Sequence, residues 1–298
     1  MKTTGYLQLS DDGKILVNCT DKNVSSVVIP NGVAEIGKYA FDGCTGLTLV
    51  EIPGSVTKIG RAAFSGCMSL TSVNIPSSVT WIGEVAFCGC ISLTRVEIPS
   101  SVTEIGDFAF SYCTSIEKFI VDEDNPNYCA IDGVLLSKCK TKLVSVYSSF
   151  VGKYTIPSSV TEIGKAAFDH CTSLTSVEIP SSVTEIGWGA FDGCASLASV
   201  EIPSSVAEIG EMVFCDCTNL TSVEIPDSVT EIGRGAFDYC TSLTELHCRH
   251  KQPLDALSEC FEGVDVSRIT LYVPSGSVDD YRHHPFFSRF GGVVNVIG

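Results

Sequence analysis

The residue types best suited to metal chemistry cluster towards the C-terminal end of the sequence. His247, Cys248 and His250 lie close together, and Cys260 follows them. Imidazole nitrogens and thiolates are the usual ligands of zinc. The spacing of these four residues matches no common structural zinc pattern, and Cys248 falls at a repeat position that elsewhere holds a buried isoleucine. A zinc site is therefore the lesser hypothesis, and we expect neither a metal nor a cofactor.

Cysteines also occur in two close pairs, Cys88 with Cys90 and Cys215 with Cys217. One member of each pair belongs to a series that recurs once per repeat, at Cys44, Cys67, Cys90, Cys113, Cys171, Cys194, Cys217 and Cys240. Parallel Cβ vectors on stacked repeats give poor disulfide geometry, so we interpret the series as buried, reduced thiols. A buried partner disfavours a redox pair, which leaves Cys88 or Cys215 as a candidate exposed reactive thiol.

Catalytic sequence motifs are missing from the chain. We find no nucleophile elbow, no phosphate-binding loop and no H-E-x-x-H pair. Serine, histidine and aspartate are all present, but they recur in no constellation with a distinct local context. The sequence therefore predicts that the protein is not an enzyme.

The elements that position all of these residues belong to a repeat of 23 residues with the pattern I-P-x-x-V-x-x-I-G-x-x-A-F-x-x-C-x-x-L-x-x-V-x. A period of this size is typical of a solenoid, in which each unit buries its neighbour's apolar face. The Ile-Pro anchor of the repeat stands at Ile29, Ile52, Ile75, Ile98, Ile156, Ile179, Ile202 and Ile225.

Each repeat predicts one strand, one corner and one turn. Val73 and Ile75 should point inward from a strand that Pro76 ends, because proline has no backbone N–H to donate. Gly83 should supply a positive φ at the next corner, and Phe87 should lie on a short helical or 3₁₀ turn. The fold class that follows is a right-handed leucine-rich-repeat solenoid, with a parallel β-sheet on one face and short turns on the other. The phenylalanines expected to stack in its core are Phe41, Phe64, Phe87, Phe110, Phe168, Phe191, Phe214 and Phe237.

The repeat resembles the BspA-like, or Treponema pallidum-type, leucine-rich-repeat family at nearly every position of the unit. The resemblance runs from about Val28 to Leu246, and the motif is specific because it recurs eight times in register. Members of this family are typically surface-exposed or secreted proteins of host-associated microbes, and several resemble adhesins. The resemblance therefore implies display outside the cell and binding to protein.

The chain as a whole, residues 1–298, is predicted to be one leucine-rich-repeat domain with hairpins at intervals. Asp12-Gly13 between apolar runs predicts a hairpin, and Asp132-Gly133 introduces a segment that echoes it. The segments expected in order are a hairpin cap at 1–28, four repeats at 29–121, a hairpin insertion at 122–155, four repeats at 156–247 and a C-terminal cap at 248–298.

The overall charge of the chain disfavours some classes of binding partner. The chain has 35 acidic and 19 basic residues and a net charge of −16, which disfavours nucleic acid and anionic membrane surfaces. No apolar run is long enough to span a membrane, and the first residues lack the apolar core of a leader. The protein is therefore either cytoplasmic or encoded with a leader that this sequence does not include, and the family resemblance favours the second.

Outward strand positions carry the candidate partner-binding residues. Stacked glutamates repel by about 1 kcal/mol per pair in water, so an acidic stripe favours a basic ligand or a cation. The alternative hypothesis is that duplication copied one residue and that water absorbs the repulsion. The candidates are Glu51, Asn74, Arg95, Glu97, Lys118, Glu178, Glu201, Glu224, Glu245 and His247. A second ladder, which we interpret as a solvated corner, holds Glu35, Glu104, Glu162, Glu185, Glu208 and Glu231.

Three hypotheses for function follow from these observations. The leading one is a non-catalytic binding module, displayed on the cell surface or secreted, that holds a basic host or matrix protein on the sheet face. The second is a cytoplasmic leucine-rich-repeat scaffold. The third, and the weakest, is a metal-dependent enzyme.

Overall fold

The computed structural model describes residues 1–295. The chain divides into two compact units, Met1–Ser149 and Phe150–Gly298. Each unit is a solenoid of leucine-rich repeats. Because every repeat contributes one strand to a face and one to a corner, neighbouring repeats hydrogen-bond to each other along two separate lines.

Unit 1 is built almost entirely from short strands. They are, in chain order, β1 (Lys2–Thr4), β2 (Leu7–Leu9), β3 (Ile15–Cys19), β4 (Ser26–Val28), β5 (Glu35–Ile36), β6 (Leu49–Glu51), β7 (Lys58–Ile59), β8 (Ser72–Val73), β9 (Trp81–Ile82), β10 (Arg95–Ile98), β11 (Glu104–Ile105), β12 (Lys118–Val121), β13 (Tyr128–Ile131), β14 (Val134–Ser137) and β15 (Lys142–Ser145).

The face strands of unit 1 are those that the sequence predicts. β4 pairs with β6, and β8, β10 and β12 form a parallel sheet. Side chains alternate between buried and exposed, so that Val73 and Ile75 enter the core while Ser72 and Asn74 face solvent. This confirms the predicted inward and outward positions of the strand.

The corner strands β5, β7, β9 and β11 form a second parallel sheet, which continues the antiparallel strands β1, β2 and β3. Each corner strand has two residues, and the second is an isoleucine that is buried in β5, β7 and β9 and half-buried in β11. A strand of two residues shows no alternation, so the sequence pattern did not predict this sheet.

Gly83 lies directly after β9, and its φ is not positive, so the predicted reason for this glycine was wrong. Its place is set by close packing between coils. A Cβ on Gly83 would lie 2.6 Å from the backbone nitrogen of Arg61 and 2.7 Å from the carbonyl carbon of Gly60. The corner therefore requires glycine because the backbone of the previous coil leaves no room for a side chain.

The turn between Gly83 and Cys90 contains two residues with left-handed backbone, Val85 at φ 50° and Gly89 at φ 73°. Left-handed residues interrupt a right-handed helix, so the segment is a chain of hydrogen-bonded turns and not a regular 3₁₀ helix. Backbone bonds such as Phe64 N–H to the Ala86 carbonyl, 2.8 Å, connect these turns from coil to coil.

Two antiparallel meanders lie before and after the repeats of unit 1, at the two places where the sequence predicts hairpins. One consists of β1, β2 and β3, and the other of β13, β14 and β15. The sequence analysis matched Asp132-Gly133 with Asp12-Gly13, but the strand order of the two meanders shifts this match by one turn. The turn at Asp132-Gly133 joins β13 to β14 and corresponds to Gly5-Tyr6, whereas the counterpart of Asp12-Gly13 is Cys139-Lys140. Gly13 and Lys140 both have positive φ, 76° and 61°, as this correspondence requires.

Unit 2 repeats the same arrangement of face and corner strands. The corner strands pair with one another in parallel, and the last five face strands form a separate parallel sheet. The strands are β16 (Gly152–Thr155), β17 (Glu162–Ile163), β18 (Leu174–Glu178), β19 (Glu185–Ile186), β20 (Ser199–Glu201), β21 (Glu208–Ile209), β22 (Ser222–Ile225), β23 (Glu231–Ile232), β24 (Glu245–Cys248), β25 (Thr270–Val273) and β26 (Gly292–Asn295). The helices described are three 3₁₀ segments and one α-helix, at Asp255–Glu259, Val266–Arg268, Phe287–Arg289 and α1 (Val278–His283).

Stacked phenylalanines form the core of each unit, as predicted. In unit 1, Phe41 and Phe64 stack with ring centroids 5.0 Å apart and planes 8° from parallel. In unit 2, Phe168 and Phe191 stack at 4.7 Å, and Phe261 in the C-terminal segment continues the series beyond Phe237 at 5.6 Å. The fully buried rings bury large apolar areas, which makes them a main source of stability.

The C-terminal segment packs against the last coil of unit 2. Tyr281 of α1 is fully buried and its hydroxyl donates to the carbonyls of His250 and Gln252, both at 3.1 Å. Phe287 is also fully buried and lies 5.0 Å from the ring of Tyr281. The segment thus replaces the neighbour that the final repeat lacks.

Candidate functional site

The candidate residues of unit 1 all lie exposed on or beside face strands. Arg95 on β10 stands directly opposite Lys118 on β12 in the parallel register, and the Arg95 guanidinium pairs with Glu97 two residues along its own strand, at 2.5 Å. Glu51 lies on β6, and Asn74 directly follows β8. This face therefore combines basic and acidic groups and does not form a continuous acidic stripe.

The candidate residues of unit 2 follow four successive face strands. Glu201 on β20 is paired in register with Glu224 on β22, and Glu224 with His247 on β24. Glu178 lies at the end of β18, and Glu245 lies two residues before His247. The structure therefore brings these five residues to one face of unit 2, as the periodicity predicts.

Two glutamates of this face are neutralised by cations that the sequence analysis missed. Lys153 on β16 forms an ion pair with Glu178, and the Thr155 hydroxyl donates to the same carboxylate at 2.7 Å. The hydrogen bond from Lys153 holds the pKa of Glu178 below its usual value. The Arg249 guanidinium pairs with Glu224 at 2.8 Å. Lys153 and Arg249 lie outside the repeat consensus, so periodicity alone gave no sign of them.

Glu201 lies between these two ion pairs and is exposed. Within residues 1–295, no ion pair involves Glu201. A shallow groove of about 370 Å³ runs beside it and is also lined by Glu178, Ser181, Pro203 and Ser204. An exposed carboxylate at a groove can accept hydrogen bonds or an ion pair from a partner at little desolvation cost.

His247 adds an aromatic surface next to the acidic residues. Its ring stacks on Tyr272 of β25, with centroids 4.4 Å apart and planes 5° from parallel. The His247 Nε2 atom lies 3.5 Å from a carboxylate oxygen of Glu245. Glu201, His247 and Tyr272 therefore give this face both charge and a flat apolar contact area.

The structure does not bring the four residues of the C-terminal zinc hypothesis together. Cys248 is buried and lies 3.1 Å from the Tyr281 hydroxyl, while Cys260 donates to the carbonyl of Gly233. His250 uses Nε2 to bond the carbonyl of Val229 at 2.6 Å, and His247 faces outward. Cys248 Sγ also lies 3.5 Å from Nδ1 of His250, so two of the four residues meet, but no three of them have donor atoms within 4.8 Å of one another.

The recurring cysteines are buried, as predicted, and six of the eight donate a hydrogen bond to the carbonyl of the phenylalanine one coil earlier. The Cys67 thiol donates to the Phe41 carbonyl at 3.2 Å, and Cys194 donates to Phe168 at 3.1 Å. Burial raises the pKa of the Cys44 thiol to about 12. These cysteines therefore join coil to coil and are poor nucleophiles.

Cys215 is buried, with 3% of its surface exposed, so the hypothesis that it is an exposed reactive thiol was wrong. Its thiol shares a small cluster with Asp192 and Asp216, in which one donor atom of each lies within 4.8 Å of the others. Burial, and then the neighbouring carboxylate of Asp169, raise the pKa of Asp192 to about 6. His170, bonded to Asp169 at 3.1 Å, lies beside this group.

The exposed thiol that the structure does show is Cys139, in the second meander. Hydrogen bonds from Ser137 and Thr141 lower the pKa of this thiol to about 7. Cys139 belongs to no repeat series and is flanked by Lys138 and Lys140, so no sequence motif marked it as a reactive thiol. No helix in residues 1–295 is long and apolar enough to cross a membrane.

Comparison with known families gives a match over most of the repeats. The family described as the BspA type leucine rich repeat region (6 copies) matches residues 18–140 and 145–275, which is more than half of the chain. The matched ranges contain all ten candidate partner-binding residues.

Solved structures of bacterial repeat proteins are similar to this chain along nearly its whole length. The pneumococcal vaccine antigen PcpA aligns with 98% of this chain and 82% of its own, with a TM-score of 0.72 and 21% identity. A leucine-rich repeat protein from Eubacterium ventriosum aligns over 98% and 83%, with a TM-score of 0.64 and 24% identity. A leucine rich cell surface protein from Faecalibacterium prausnitzii aligns over 100% and 95%, with a TM-score of 0.62 and 25% identity. The search of curated proteins gives no match.

Proposed function

The chain belongs to the BspA-type leucine-rich-repeat family, and from that premise we propose that it is a non-catalytic protein-binding module displayed on the cell surface or secreted. Its partner in this proposal is a host or matrix protein with a basic surface, held by the face strands of unit 2. One structure with which it aligns over its full length is a leucine rich cell surface protein, which supports the proposed location.

The observation that carries the proposal is the exposed Glu201 carboxylate beside a groove, flanked by two glutamates that already have cations. Lys153 and Arg249 neutralise their neighbours, so the net attraction for a basic partner concentrates at Glu201 and Glu245. Electrostatic complementarity of this kind speeds association and selects partners by charge. The stacked His247 and Tyr272 rings supply apolar area, which charge alone cannot give.

The outward residues of unit 1 form a second, mixed face in the same proposal. Arg95 and Lys118 are adjacent cations on neighbouring strands, Glu97 pairs with Arg95, and Glu51 and Asn74 lie on or beside the two preceding face strands. A partner that contacts this face needs acidic groups as well as basic ones. The unit 2 face is therefore the sharper test of binding to a basic protein.

The test replaces Glu201 by lysine in the full chain and measures capture by immobilised basic extracellular matrix proteins in surface plasmon resonance. We expect capture to fall about tenfold or more, since a cation would then face a basic partner. Glu208→Lys is the matched control, because Glu208 is exposed on the corner strand of the same repeat. Wild-type affinity in Glu201→Lys, or an equal loss in Glu208→Lys, would reject this face as the binding surface.

A further inference from the structure

The turns of unit 2 place metal-ligating side chains together on successive coils. Asp192 directly follows Phe191, and Cys215 directly follows Phe214 one coil later. The two phenylalanine rings stack at 5.4 Å, and the Gly193 N–H donates to the Cys215 carbonyl at 2.9 Å, so Asp192 and Cys215 are held on adjacent coils. Asp216, next in sequence, brings a second carboxylate to within 4.8 Å of both donor atoms.

An imidazole stands on the preceding coil. The backbone N–H of His170 donates to the backbone carbonyl of Asp192 at 2.8 Å. The His170 ring lies over Gly193, so that a Cβ added to Gly193 would be 2.7 Å from Nδ1 of His170. Asp169, whose side chain is only 5% exposed, holds Nδ1 of His170 at 3.1 Å. A buried carboxylate on one nitrogen of a histidine is the usual support of a zinc-binding imidazole, whose other nitrogen meets the metal.

The corresponding turns of unit 1 do not have this donor set. Cys88 occupies the same repeat position as Cys215, but the residues above and below it in the series are Ser65 and Ser111. Gly89 stands where Asp216 stands, and Gly66 where His170 or Gly193 would be. The repeat consensus therefore does not account for the convergence of two carboxylates and a thiol in unit 2, or for the imidazole on the preceding coil.

We propose that Asp192, Cys215 and Asp216 form a site for one divalent transition-metal cation of the zinc class, with His170 as the adjacent imidazole. A thiolate with carboxylate and imidazole neighbours suits zinc or cobalt, whereas calcium and magnesium require oxygen ligands alone. On binding, the Cys215 thiol gives its proton to solvent and its sulfur bonds the cation. The ion bridges two coils, so the site is a clip within the solenoid and performs no catalysis.

The test uses the full chain, purified with a reductant that contains no thiol and stripped of metal by a chelator. Cobalt chloride is titrated while the thiolate-to-cobalt charge-transfer absorption is recorded. We expect one equivalent of cobalt to saturate the band, and zinc to displace it. Cys215→Ser should abolish the band, and Asp192→Asn, which keeps the thiol, should weaken cobalt binding about tenfold or more.

Cys88→Ser is the matched control, since it removes the cysteine at the same repeat position in unit 1 and should leave the titration unchanged. Circular dichroism of each variant establishes that the fold is retained. Absence of a charge-transfer band in the wild-type protein overturns the proposal. A band that persists in Cys215→Ser, or one that disappears equally in Cys88→Ser, also overturns it, because the thiolate would then come from another cysteine.

Discussion

Cys139 occupies the position in the second meander that Asp12 occupies in the first, so a thiol stands where the first meander has a carboxylate. In the first meander, Asp12 accepts hydrogen bonds from the Ser10 hydroxyl at 2.6 Å and the Lys14 N–H at 2.9 Å. In the second meander, Cys139 contacts the Ser137 and Thr141 hydroxyls at 3.4 and 3.0 Å. A turn that stabilises a carboxylate by donating hydrogen bonds to it also stabilises a thiolate, so the Cys139 thiol is more acidic than an ordinary cysteine.

Native-state thiol labelling should therefore begin at Cys139. The thiolate is the reactive form, so the labelling rate should rise as the pH increases through about 7, the pKa of this thiol. The buried cysteines should react only when the chain unfolds. Stopped-flow labelling with a chromogenic disulfide reagent measures both phases.

Variants assign these phases to residues. Cys139→Ser should remove the fast phase, and Cys88→Ser should leave its amplitude and pH dependence intact. A fast phase that survives in Cys139→Ser would show that another thiol is the nucleophile. Sequence alone pointed to Cys88 and Cys215 because they break the repeat pattern, whereas exposure and hydrogen bonding depend on the turn that surrounds each thiol.

At the scale of the element, the distance between coils is set by glycines at the corners. Seven corner glycines lie so close to the previous coil that an added Cβ would meet its backbone at 3.0 Å or less, at Gly37, Gly60, Gly83, Gly106, Gly187, Gly210 and Gly233. Because each close contact is with backbone, no side-chain movement can relieve it. Local stability should therefore be more sensitive at these corners than at glycines in open turns.

Gly83→Ala tests this packing directly. The methyl group would meet the Arg61 nitrogen at 2.6 Å, so the coils must separate, at a cost of about 1–3 kcal/mol in the free energy of unfolding. The control is Gly54→Ala, because nothing lies within 4 Å of a Cβ at Gly54 and its φ is not positive. Urea denaturation followed by circular dichroism compares the two. Equal stability of both variants would show that the corners can widen freely.

The elements also show where sequence prediction succeeds. The face strands, the inward valines and isoleucines, and the stacked phenylalanines follow from a pattern that repeats every 23 residues, so they were predictable. The corner sheet was not, because a two-residue strand has no period. Lys153 and Arg249 were also missed, since each stands outside the repeats and meets its glutamate only through the fold.

At the scale of the whole molecule, a solenoid has ends that its own repeats cannot cover. In unit 2 the C-terminal segment covers the end with Phe261, Phe286, Phe287 and Phe290, whose ring centroids lie between 5.0 and 6.0 Å from other rings of the segment or the last coil. Each repeat contacts chiefly its neighbours, so loss of the cap should lower the stability of the adjacent coils more than that of distant ones.

Phe287→Ala tests whether stability is transmitted from coil to coil. Phe287 is fully buried, and removing its ring should lower the free energy of unfolding by about 3–5 kcal/mol. Hydrogen exchange measured by mass spectrometry should then accelerate most at the last corner strand, Glu231–Ile232, and remain unchanged at Glu35–Ile36 near the start of the chain. Val294→Ala, a change at a partly exposed residue of the same segment, should alter neither region. If hydrogen exchange in Phe287→Ala accelerated equally along the whole chain, the protein would unfold as one cooperative unit. That result would contradict a stability set by contacts between neighbouring coils.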